Sequence, residues 1–231
     1  MRNSAPNELE RGNILSALQV LHDREPKSAA LNMAVDEALL QTVTTPVLRF
    51  YGWRQPSLSF GYFGRFAEVA AEAGQRELVR RWTGGGIVLH GEDFTYSLIL
   101  PRVDLVALLP PQDIYRQIHG AIQTVLARDS EVALAEQDAP KVSEACFANA
   151  VTADVLVRGR KIAGAAQRRT RAGLLHQGSI QFAGLPPSFP DAFAKALCTN
   201  FVVLELSPQL LRRAQELAEA KYGTCDWLRQ R

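Results

Sequence analysis

Three strand-like runs follow one another within residues 153–182, and the turns that join them are too short to hold a helix. The runs read ADVLVRG, RKIAGAAQRR and GLLHQGSIQF. Strands joined by such short turns pair with their neighbours in antiparallel sheets. Because strands cluster here instead of alternating strictly with helices, we predict an α+β fold with a mainly antiparallel or mixed sheet flanked by helices.

The remaining segments divide by periodicity into strands and helices. Strands are predicted at 14–21, 47–53, 57–63 and 77–82, and a strand–loop–strand unit at 87–100. Helices are predicted after an N-cap at Ser28, at 67–75 (short), 112–128 and 189–197, and after Ser207-Pro208. No linker, repeat or low-complexity tract interrupts the 231 residues. We therefore expect one domain, 1–231, with a core of about 28–222 and partial disorder in the polar residues 1–13.

Composition excludes several classes of protein. Hydrophobic residues make up 47% and charged residues 22% of the chain, as in ordinary globular proteins, and the net charge of +2 gives no argument for nucleic acid. No apolar run has the length of a membrane span, and the polar start is unlike a signal peptide, so we expect a cytoplasmic monomer without membrane or nucleic-acid partners. The widely spaced cysteines (Cys146, Cys198 and Cys225) and four scattered histidines predict no metal site.

The glycine triplet Gly84–Gly86, within RRWTGGGIVLHG, is the most unusual stretch of the sequence. Each glycine in a strand-forming context costs about 0.5–1 kcal/mol relative to alanine. Such a loop allows backbone N–H groups to approach a ligand carbonyl, carboxylate or phosphate closely. The spacing is neither that of a P-loop nor that of a dinucleotide-binding loop. A tight bend between two strands would use the same glycines, so the triplet alone leaves both interpretations open.

Lys161 and Cys146 form the second candidate pair. Lys161 lies in a strand next to the small-residue run IAGAA, where it could point into a pocket while Arg160 points to the opposite face. An ordinary snorkelling lysine is the alternative. Cys146 precedes this strand, and a nearby ammonium would lower the pKa of its thiol, although a lone cysteine is commonly a buried apolar residue.

Several motifs together resemble the lipoate-protein ligase and octanoyltransferase superfamily, which shares its catalytic domain with biotin-protein ligases. RRWTGGGIVLHG resembles the superfamily's arginine, glycine-triplet and histidine loop, and DVLVRGRKIAGAAQRR resembles its lysine strand. LLHQGSIQF and FYGWRQPSLSFGY resemble two further strand motifs in the same order. The resemblance covers residues 28–182, and KYGTCDWL fits more weakly. It implies a fold like those of class II aminoacyl-tRNA synthetases and biotin-protein ligases.

The resemblance also implies site residues. Lys161 corresponds to the lysine that binds the acyl carbonyl or carboxylate. The loop that holds the acyl chain and the activated group would contribute Arg81, Gly84, Gly85, Gly86 and His90. Gly164 and His176 belong to the matching strands and are further candidates for substrate binding, with His90 and His176 as candidate proton acceptors.

The superfamily contains transferases and ligases, and three features favour a transferase. Cys146-Phe147 stands where LipM-type octanoyltransferases carry their nucleophilic cysteine. Ala153 precedes Asp154 where ligases usually have Asn, which puts the ligase's nucleotide and magnesium contacts in doubt, and Gly91 follows His90 where ligases tend to have Asp. We also expect no accessory domain of the kind that many ligases append. Against this, the full glycine triplet is at least as typical of ligases.

The predicted function is therefore octanoyl transfer in protein lipoylation and lipoate biosynthesis. The donor would be octanoyl-acyl carrier protein, and the acceptor a lysine of a lipoyl domain or of the glycine-cleavage H-type carrier protein. A thioester on Cys146 would be the intermediate, and no cofactor would be needed. The alternatives are an ATP- and magnesium-dependent lipoate-protein ligase and a non-catalytic relative; a biotin ligase is disfavoured because the GRGR-type loop is absent. A basic cluster is either a solvated face or a dock for an acidic carrier protein: Arg158, Arg160, Arg168, Arg169 and Arg171.

Overall fold

A computed structural model of the chain describes residues 13–127, 131–140, 143 and 146–230, except for the side chain of Cys146. In this part of the chain, eleven strands form two sheets. They are β1 (Leu18–Lys27), β2 (Val47–Trp53), β3 (Ser57–Phe60), β4 (Glu77–Arg80), β5 (Val88–His90), β6 (Phe94–Pro101), β7 (Val132–Leu134), β8 (Val155–Val157), β9 (Arg160–Arg169), β10 (Gly173–Ile180) and β11 (Phe201–Val203). The expectation of disorder in residues 1–13 falls, apart from Asn13, outside the described residues.

The main sheet has the strand order β11-β1-β2-β6-β10-β9-β8-β7. β1 pairs in parallel with β11 and β2, and every other pair in this sheet is antiparallel. The small sheet has the order β4-β3-β5, with one parallel and one antiparallel pair. The predicted α+β class with a mixed, mainly antiparallel sheet is confirmed.

Helices cover both faces of the main sheet. They are α1 (Ala29–Thr42), α2 (Pro111–Leu126), α3 (Phe189–Leu197), α4 (Pro208–Leu217) and α5 (Cys225–Arg229), with a π-helical turn at Ala218–Tyr222. The apolar stripes of α2 and α3 pack on one face, where Ile118 and Phe193 are buried. On the other face α1 and α4 pack together, and the small sheet lies on the same side. Among the described helices, none has both the length and the apolar character needed to cross a membrane.

Most predicted elements are confirmed, and the errors lie at their ends. Ser28 caps α1, and Ser207 caps α4, each through its side chain. The opening strand predicted at 14–21 begins only at Leu18, because Ile14 and Leu15 belong to the core next to α3 and not to the sheet. The strands predicted at 57–63 and 77–82 end at Phe60 and Arg80, where the chain turns toward the glycine loop. The helix predicted at 67–75 is instead two short 3-10 turns, 66–68 and 70–72.

A buried charge network fastens α1 to the main sheet. Arg49 on β2 is fully buried and donates to Asp36 of α1 at 2.8 Å and to Asp23 of β1 at 2.7 Å. Asp36 also accepts hydrogen bonds from Ser97 of β6 and Gln177 of β10, both at 2.8 Å. Burial alone would lower the pKa of Arg49, but Asp36 and other neighbouring groups raise it above its usual value. The guanidinium therefore stays charged, and the network around it joins five elements: α1, β1, β2, β6 and β10.

Replacing Arg49 with Met should destabilise the fold strongly. The substitution keeps much of the side-chain volume but leaves Asp36 and Asp23 buried without this cation, which costs about 3–5 kcal/mol. Urea denaturation followed by circular dichroism would measure the change. The control is Arg213→Ala, which removes an exposed pair with Glu216 and should change stability by less than about 1 kcal/mol. A loss for Arg49→Met no larger than that of the control would contradict this account.

Candidate active site

Arg81 shapes the glycine loop between β4 and β5. Its guanidinium donates to the carbonyl oxygens of Gly84 at 3.0 Å and Gly86 at 2.8 Å, and to Ser59 Oγ at 2.7 Å. Gly85 between them has φ of +85°, a conformation that a side chain would strain. Arg81 is itself buried, so it holds the loop from within. The backbone of Gly85 thus lines a cavity, which is what the interpretation of the triplet as a ligand-binding loop requires.

The neighbouring Arg80 fastens the end of the described chain to the same loop. It is fully buried and donates to the carbonyl oxygens of Trp227 at 3.0 Å and Leu228 at 2.9 Å in α5. It also donates to the carbonyl oxygens of Tyr62 at 2.9 Å and Gly64 at 2.6 Å. The Trp227 indole donates back to the carbonyl of Arg80 at 3.0 Å. One guanidinium therefore joins α5, the β3–β4 connection and the strand that leads into the glycine loop.

A narrow cleft lies between the two sheets, and the empty space in it is about 410 Å³ including the part that is open to solvent. The main sheet contributes Tyr51, Trp53 and Gln177 to its walls, the small sheet contributes Ser59 and His90, and the glycine loop contributes Gly85. The β9 segment 164–166 forms another wall with the small residues Gly, Ala and Ala. Because the exposed surface of the lining is mainly apolar, the cavity suits an apolar ligand group.

His90 forms part of the cavity wall and is held on both sides of its ring. Nδ1 is 2.8 Å from Asp93 Oδ2, Nε2 is 2.6 Å from Ser59 Oγ, and the ring stacks on Trp53 with centroids 4.0 Å apart. Burial lowers the pKa of His90 below its usual value, despite the hydrogen bond to Asp93. Burial alone would raise the pKa of Asp93, but hydrogen bonds from His90 and Ser179 hold it below its usual value. His90 is therefore a neutral wall residue whose two ring nitrogens already have protein partners.

Lys161 lies at the β9 side of the cavity. Its ammonium is 2.7 Å from Asp154 Oδ2 and 3.2 Å from the carbonyl oxygen of Asn149. A Cβ on Gly164, which lines the cavity, would lie 2.7 Å from Cε and 2.9 Å from Nζ of Lys161. The absence of a side chain at 164 therefore makes room for the ammonium next to the cavity. Lys161 is buried and Arg160 is exposed, so the predicted alternation of faces is confirmed and the snorkelling alternative is wrong.

The segment that carries Cys146 packs against the lysine strand. Cys146–Ala148 forms a 3-10 turn that contacts β9. The ring of Phe147 lies 5.5 Å from the Lys161 ammonium. The Cys146 side chain lies outside the described part of the structure. The backbone of this turn lies next to β9, and both the pairing of Cys146 with Lys161 and the nucleophilic role of the thiol stay predictions.

His176 does not join the other predicted residues. On β10 the side chains of Gln177 and Ser179 face the cavity, and His176 points to the opposite face, toward α2. It is fully buried, with Nε2 3.2 Å from the Tyr96 hydroxyl and Nδ1 3.0 Å from Gln167. The prediction that His176 binds substrate or accepts its proton is wrong for this arrangement, since the alternation of side chains along the strand places it in the core.

Asp154 and Tyr115 are site residues that the sequence did not single out for this role. Asp154 is fully buried beside Lys161, and Tyr115 reaches it from α2. Ser59 and Thr95, polar residues in the runs SLSF and FTYS, face the cavity. The alternating serines in the run SLSF could have indicated that Ser59 lies at a polar site, because the other residues of this strand are apolar. No feature of the sequence near Tyr115 indicated a role in the site. Among the described residues, no group of His, Cys, Asp and Glu is arranged to hold a metal ion.

The fold is similar to that of a solved protein of known ligand content, and the sequence matches a family model. It superposes on protein Ta0514 from T. acidophilum, assigned as a lipoate protein ligase and solved with bound lipoic acid, with a TM-score of 0.73 and 20% identity over 91% of this chain and 98% of that chain. This likeness shows that the two proteins share a fold. Residues 28–200 match the model of the lipoyl protein ligase A/B catalytic domain family, and the chain belongs to that family.

Curated relatives in this family are octanoyltransferases. The chain is 37% identical to octanoyltransferase LipM of Oceanobacillus iheyensis over 168 residues, which cover 68% of this chain and 62% of that protein. It is 30% identical to octanoyltransferase LipM of Symbiobacterium thermophilum over 259 aligned positions, covering 85% of this chain and 92% of that protein. The match thus spans about three fifths of the first relative and most of the second.

A second buried histidine on the α2 face should make stability depend on pH. His119 donates from Nδ1 to the carbonyl oxygen of Ala153 at 2.7 Å, and its buried Nε2 has no partner in the described structure. Burial lowers the pKa of His119 to about 4. The unfolded chain, with a histidine pKa of about 6.5, therefore binds more protons between pH 6.5 and 4. The contribution of neutral His119 to the free energy of unfolding is therefore fully present above pH 6.5 and is lost as the pH falls from 6.5 to 4.

Replacing His119 with Asn removes this titration and keeps a side-chain N–H near Ala153. Urea denaturation at several pH values should show a shallower loss of stability for the variant between pH 6.5 and 4, by about 1.4 kcal/mol per pH unit. Burial also lowers the pKa values of His90 and His176, so the variant retains part of the slope. Above pH 7.5 the two curves should run parallel. Equal slopes in the acidic window would show that His119 is not held neutral by the fold.

Proposed function

We propose that the chain transfers an octanoyl group from octanoyl-acyl carrier protein to a lysine of a lipoyl carrier domain, through a thioester on Cys146. One observation carries the proposal: the buried Lys161 ammonium lies between the apolar cavity at Gly164 and the 3-10 turn that begins with Cys146. The names of the LipM relatives support the same reaction. We propose that the chain acts as one catalytic domain with its core at about residues 28–222.

In the first step, the Cys146 thiolate attacks the thioester carbonyl of the donor. A carbon–sulfur bond forms to Cys146, and the bond to the carrier's thiol breaks; the released carrier thiolate takes a proton. The Lys161 ammonium favours the thiolate form of Cys146 and orients the acyl carbonyl. The octanoyl chain lies in the cavity, where each buried methylene contributes about 0.8 kcal/mol.

In the second step, the amine of the target lysine attacks the enzyme thioester. An amide bond forms, the carbon–sulfur bond breaks, and the amine proton passes to the Cys146 sulfur. Backbone N–H groups of the glycine loop stabilise the oxyanion in both steps. His90 serves in this mechanism as a wall of the acyl cavity, since both ring nitrogens are engaged by Ser59 and Asp93.

The surroundings of Asp154 favour a transferase over an ATP-dependent ligase. Magnesium–nucleotide sites use one or two carboxylates that also accommodate water and phosphate oxygens. Asp154 follows Ala153, which stands where ligases usually have Asn; it is fully buried, and both of its oxygens accept hydrogen bonds from protein groups. The donor set at Asp154 therefore does not fit magnesium and ATP, and no step is assigned to them.

The basic cluster, for which the sequence leaves open a solvated face or a dock for an acidic carrier, is divided by the structure, with Arg171 exposed at the separate β9–β10 turn. Arg168 lies over the rings of Tyr62 and Trp82, and Arg169 donates to the carbonyl oxygens of Ala107 and Leu109. Arg158 and Arg160 remain exposed at the β8–β9 turn, next to Lys161 in sequence. We propose that only this turn meets the acidic surface of a carrier protein.

The decisive experiment mixes the protein with octanoyl-acyl carrier protein without ATP and records its intact mass. An octanoyl adduct that hydroxylamine removes and that maps to Cys146 is expected, and Cys146→Ala should lose it. Cys225→Ala, which changes an exposed cysteine, is the control and should keep the adduct. Carrier modification only with free octanoate or lipoate, ATP and magnesium would instead make the protein a ligase.

Gly164→Ala should impair the reaction without unfolding the protein. The new methyl group would displace the end of the Lys161 side chain, which is flexible, so the fold survives while the ammonium leaves its place. Enzyme acylation should slow at least tenfold, which is about 1.4 kcal/mol in the barrier. Gly120→Ala is the control, because a Cβ there meets nothing within 4 Å. Equal acylation rates in both variants, measured by quenched single-turnover assays, would contradict the proposed role of Gly164.

A further inference from the structure

The Asp154 carboxylate beside Lys161 is held by three separate donors. Oδ2 accepts from the Lys161 ammonium and from the Val151 N–H, each at 2.7 Å, and Oδ1 accepts from the Tyr115 hydroxyl at 2.5 Å. Both oxygens are thereby assigned, and the plane of the carboxylate is fixed. Loss of the hydrogen bond to Oδ1 would let the carboxylate rotate. The Lys161 ammonium, which is bound to Oδ2, would then move with it.

The direction of the Tyr115 hydrogen bond follows from its second partner. The Tyr115 oxygen accepts from the Ala165 N–H at 3.0 Å, so its single hydrogen is available for Asp154. Burial, with the charge of Asp154, raises the pKa of Tyr115 well above its usual value, so the hydroxyl remains a donor. Tyr115 thus ties α2 to the backbone of a cavity wall residue and to the carboxylate.

Lys161 is held from the other side by the turn that follows Cys146. The carbonyl oxygen of Asn149 lies 3.2 Å from Nζ, and the Phe147 ring lies 5.5 Å from it. Gly164 leaves the space that the ammonium occupies. The place of the ammonium is therefore defined by the turn that follows Cys146, by the space at Gly164 and by the Asp154 carboxylate.

We propose that Tyr115 is a positioning residue that sets the place of the Lys161 ammonium through Asp154. The inference rests on the function proposed above, in which Lys161 activates the thiol and orients the acyl carbonyl. Tyr115 does not touch the reacting atoms in this arrangement. Its hydroxyl acts on them through two hydrogen-bonded steps, Tyr115 to Asp154 and Asp154 to Lys161.

The first test is Tyr115→Phe, which removes one oxygen and keeps the ring. The single-turnover rate of acylation from octanoyl-acyl carrier protein should fall at least tenfold, while the KM for the donor changes less than twofold, because the acyl cavity is retained. The matched control is Tyr96→Phe, which changes a fully buried tyrosine of β6 whose hydroxyl contacts His176 and not Asp154. The control should keep the rate within a factor of two.

A double-mutant cycle separates positioning from packing. If Tyr115 acts through the carboxylate, Tyr115→Phe should slow an Asp154→Asn enzyme by less than twofold. A tenfold loss that persists in the Asp154→Asn background would show that Tyr115 has only a structural role, and would overturn the inference.

Chemical labelling of Lys161 gives a readout that does not depend on acyl transfer. N-hydroxysuccinimidyl acetate would label the lysines, and peptide mass spectrometry would measure the rate at each one, with exposed Lys195 as the internal reference. Acetylation of Lys161 should be at least threefold faster in Tyr115→Phe than in the unaltered protein and should approach the rate in Asp154→Asn. Unchanged Lys161 labelling in Tyr115→Phe would overturn the inference. If the unaltered enzyme transfers no acyl group, the proposed function fails, and the labelling result alone decides the role of Tyr115.

Discussion

The buried carboxylate of Asp36 is the point where the core and the cavity meet. It receives Arg49 from β2, Ser97 from β6 and Gln177 from β10. Gln177 in turn accepts from the hydroxyl of Thr83, at 2.8 Å, just before the glycine triplet. A charge buried at this depth requires all of these partners, because desolvation of an unpaired carboxylate costs several kcal/mol. The same requirement that fixes α1 on the sheet therefore fixes the entrance to the glycine loop.

Strand β9 contributes two features to the region around the cavity. The small side chains of 164–166 leave space for the cavity, whereas Lys161 and Asp154 form a buried ion pair beside it. Two apolar residues of the same size would be at least as stable as such a pair. The proposed acyl transfer would account for an ion pair at the boundary between the cavity and the cysteine segment, since an ammonium there acts with little screening by solvent.

Local signals in the sequence were sufficient for most of the long elements and for the positions of the glycine loop and the lysine strand, but β1 extends to Lys27, well beyond the predicted end at residue 21. The periodicity of α2 comes from its one buried face, so it is visible without the fold, whereas β10 is buried along its whole length and was found as a strand-like run between turn residues. The three-residue strands β7 and β11 were missed, because they lie at the edges of the sheet and owe their conformation to pairing with β8 and β1.

The site was predictable only where its residues lie in one continuous motif. Lys161, Gly164 and Gly85 were found because each belongs to such a run. Tyr115 is separated from Asp154 by 39 positions, and their contact depends on how α2 packs on the sheet. The prediction that His176 belongs to the site did not match the structure for a related reason: a sequence motif does not show which face of a strand each of its residues occupies.

The bond from Arg80 to Trp227 spans 147 residues of sequence, and this separation has a consequence for folding. During synthesis the glycine loop leaves the ribosome long before the carbonyl groups that Arg80 requires. Contacts of such large sequence separation form late, after the entropy of closing the intervening chain has been overcome. The loop beside the cavity therefore completes its structure only when nearly all of the described chain has been made, and the acyl cavity is among the last parts of the protein to mature.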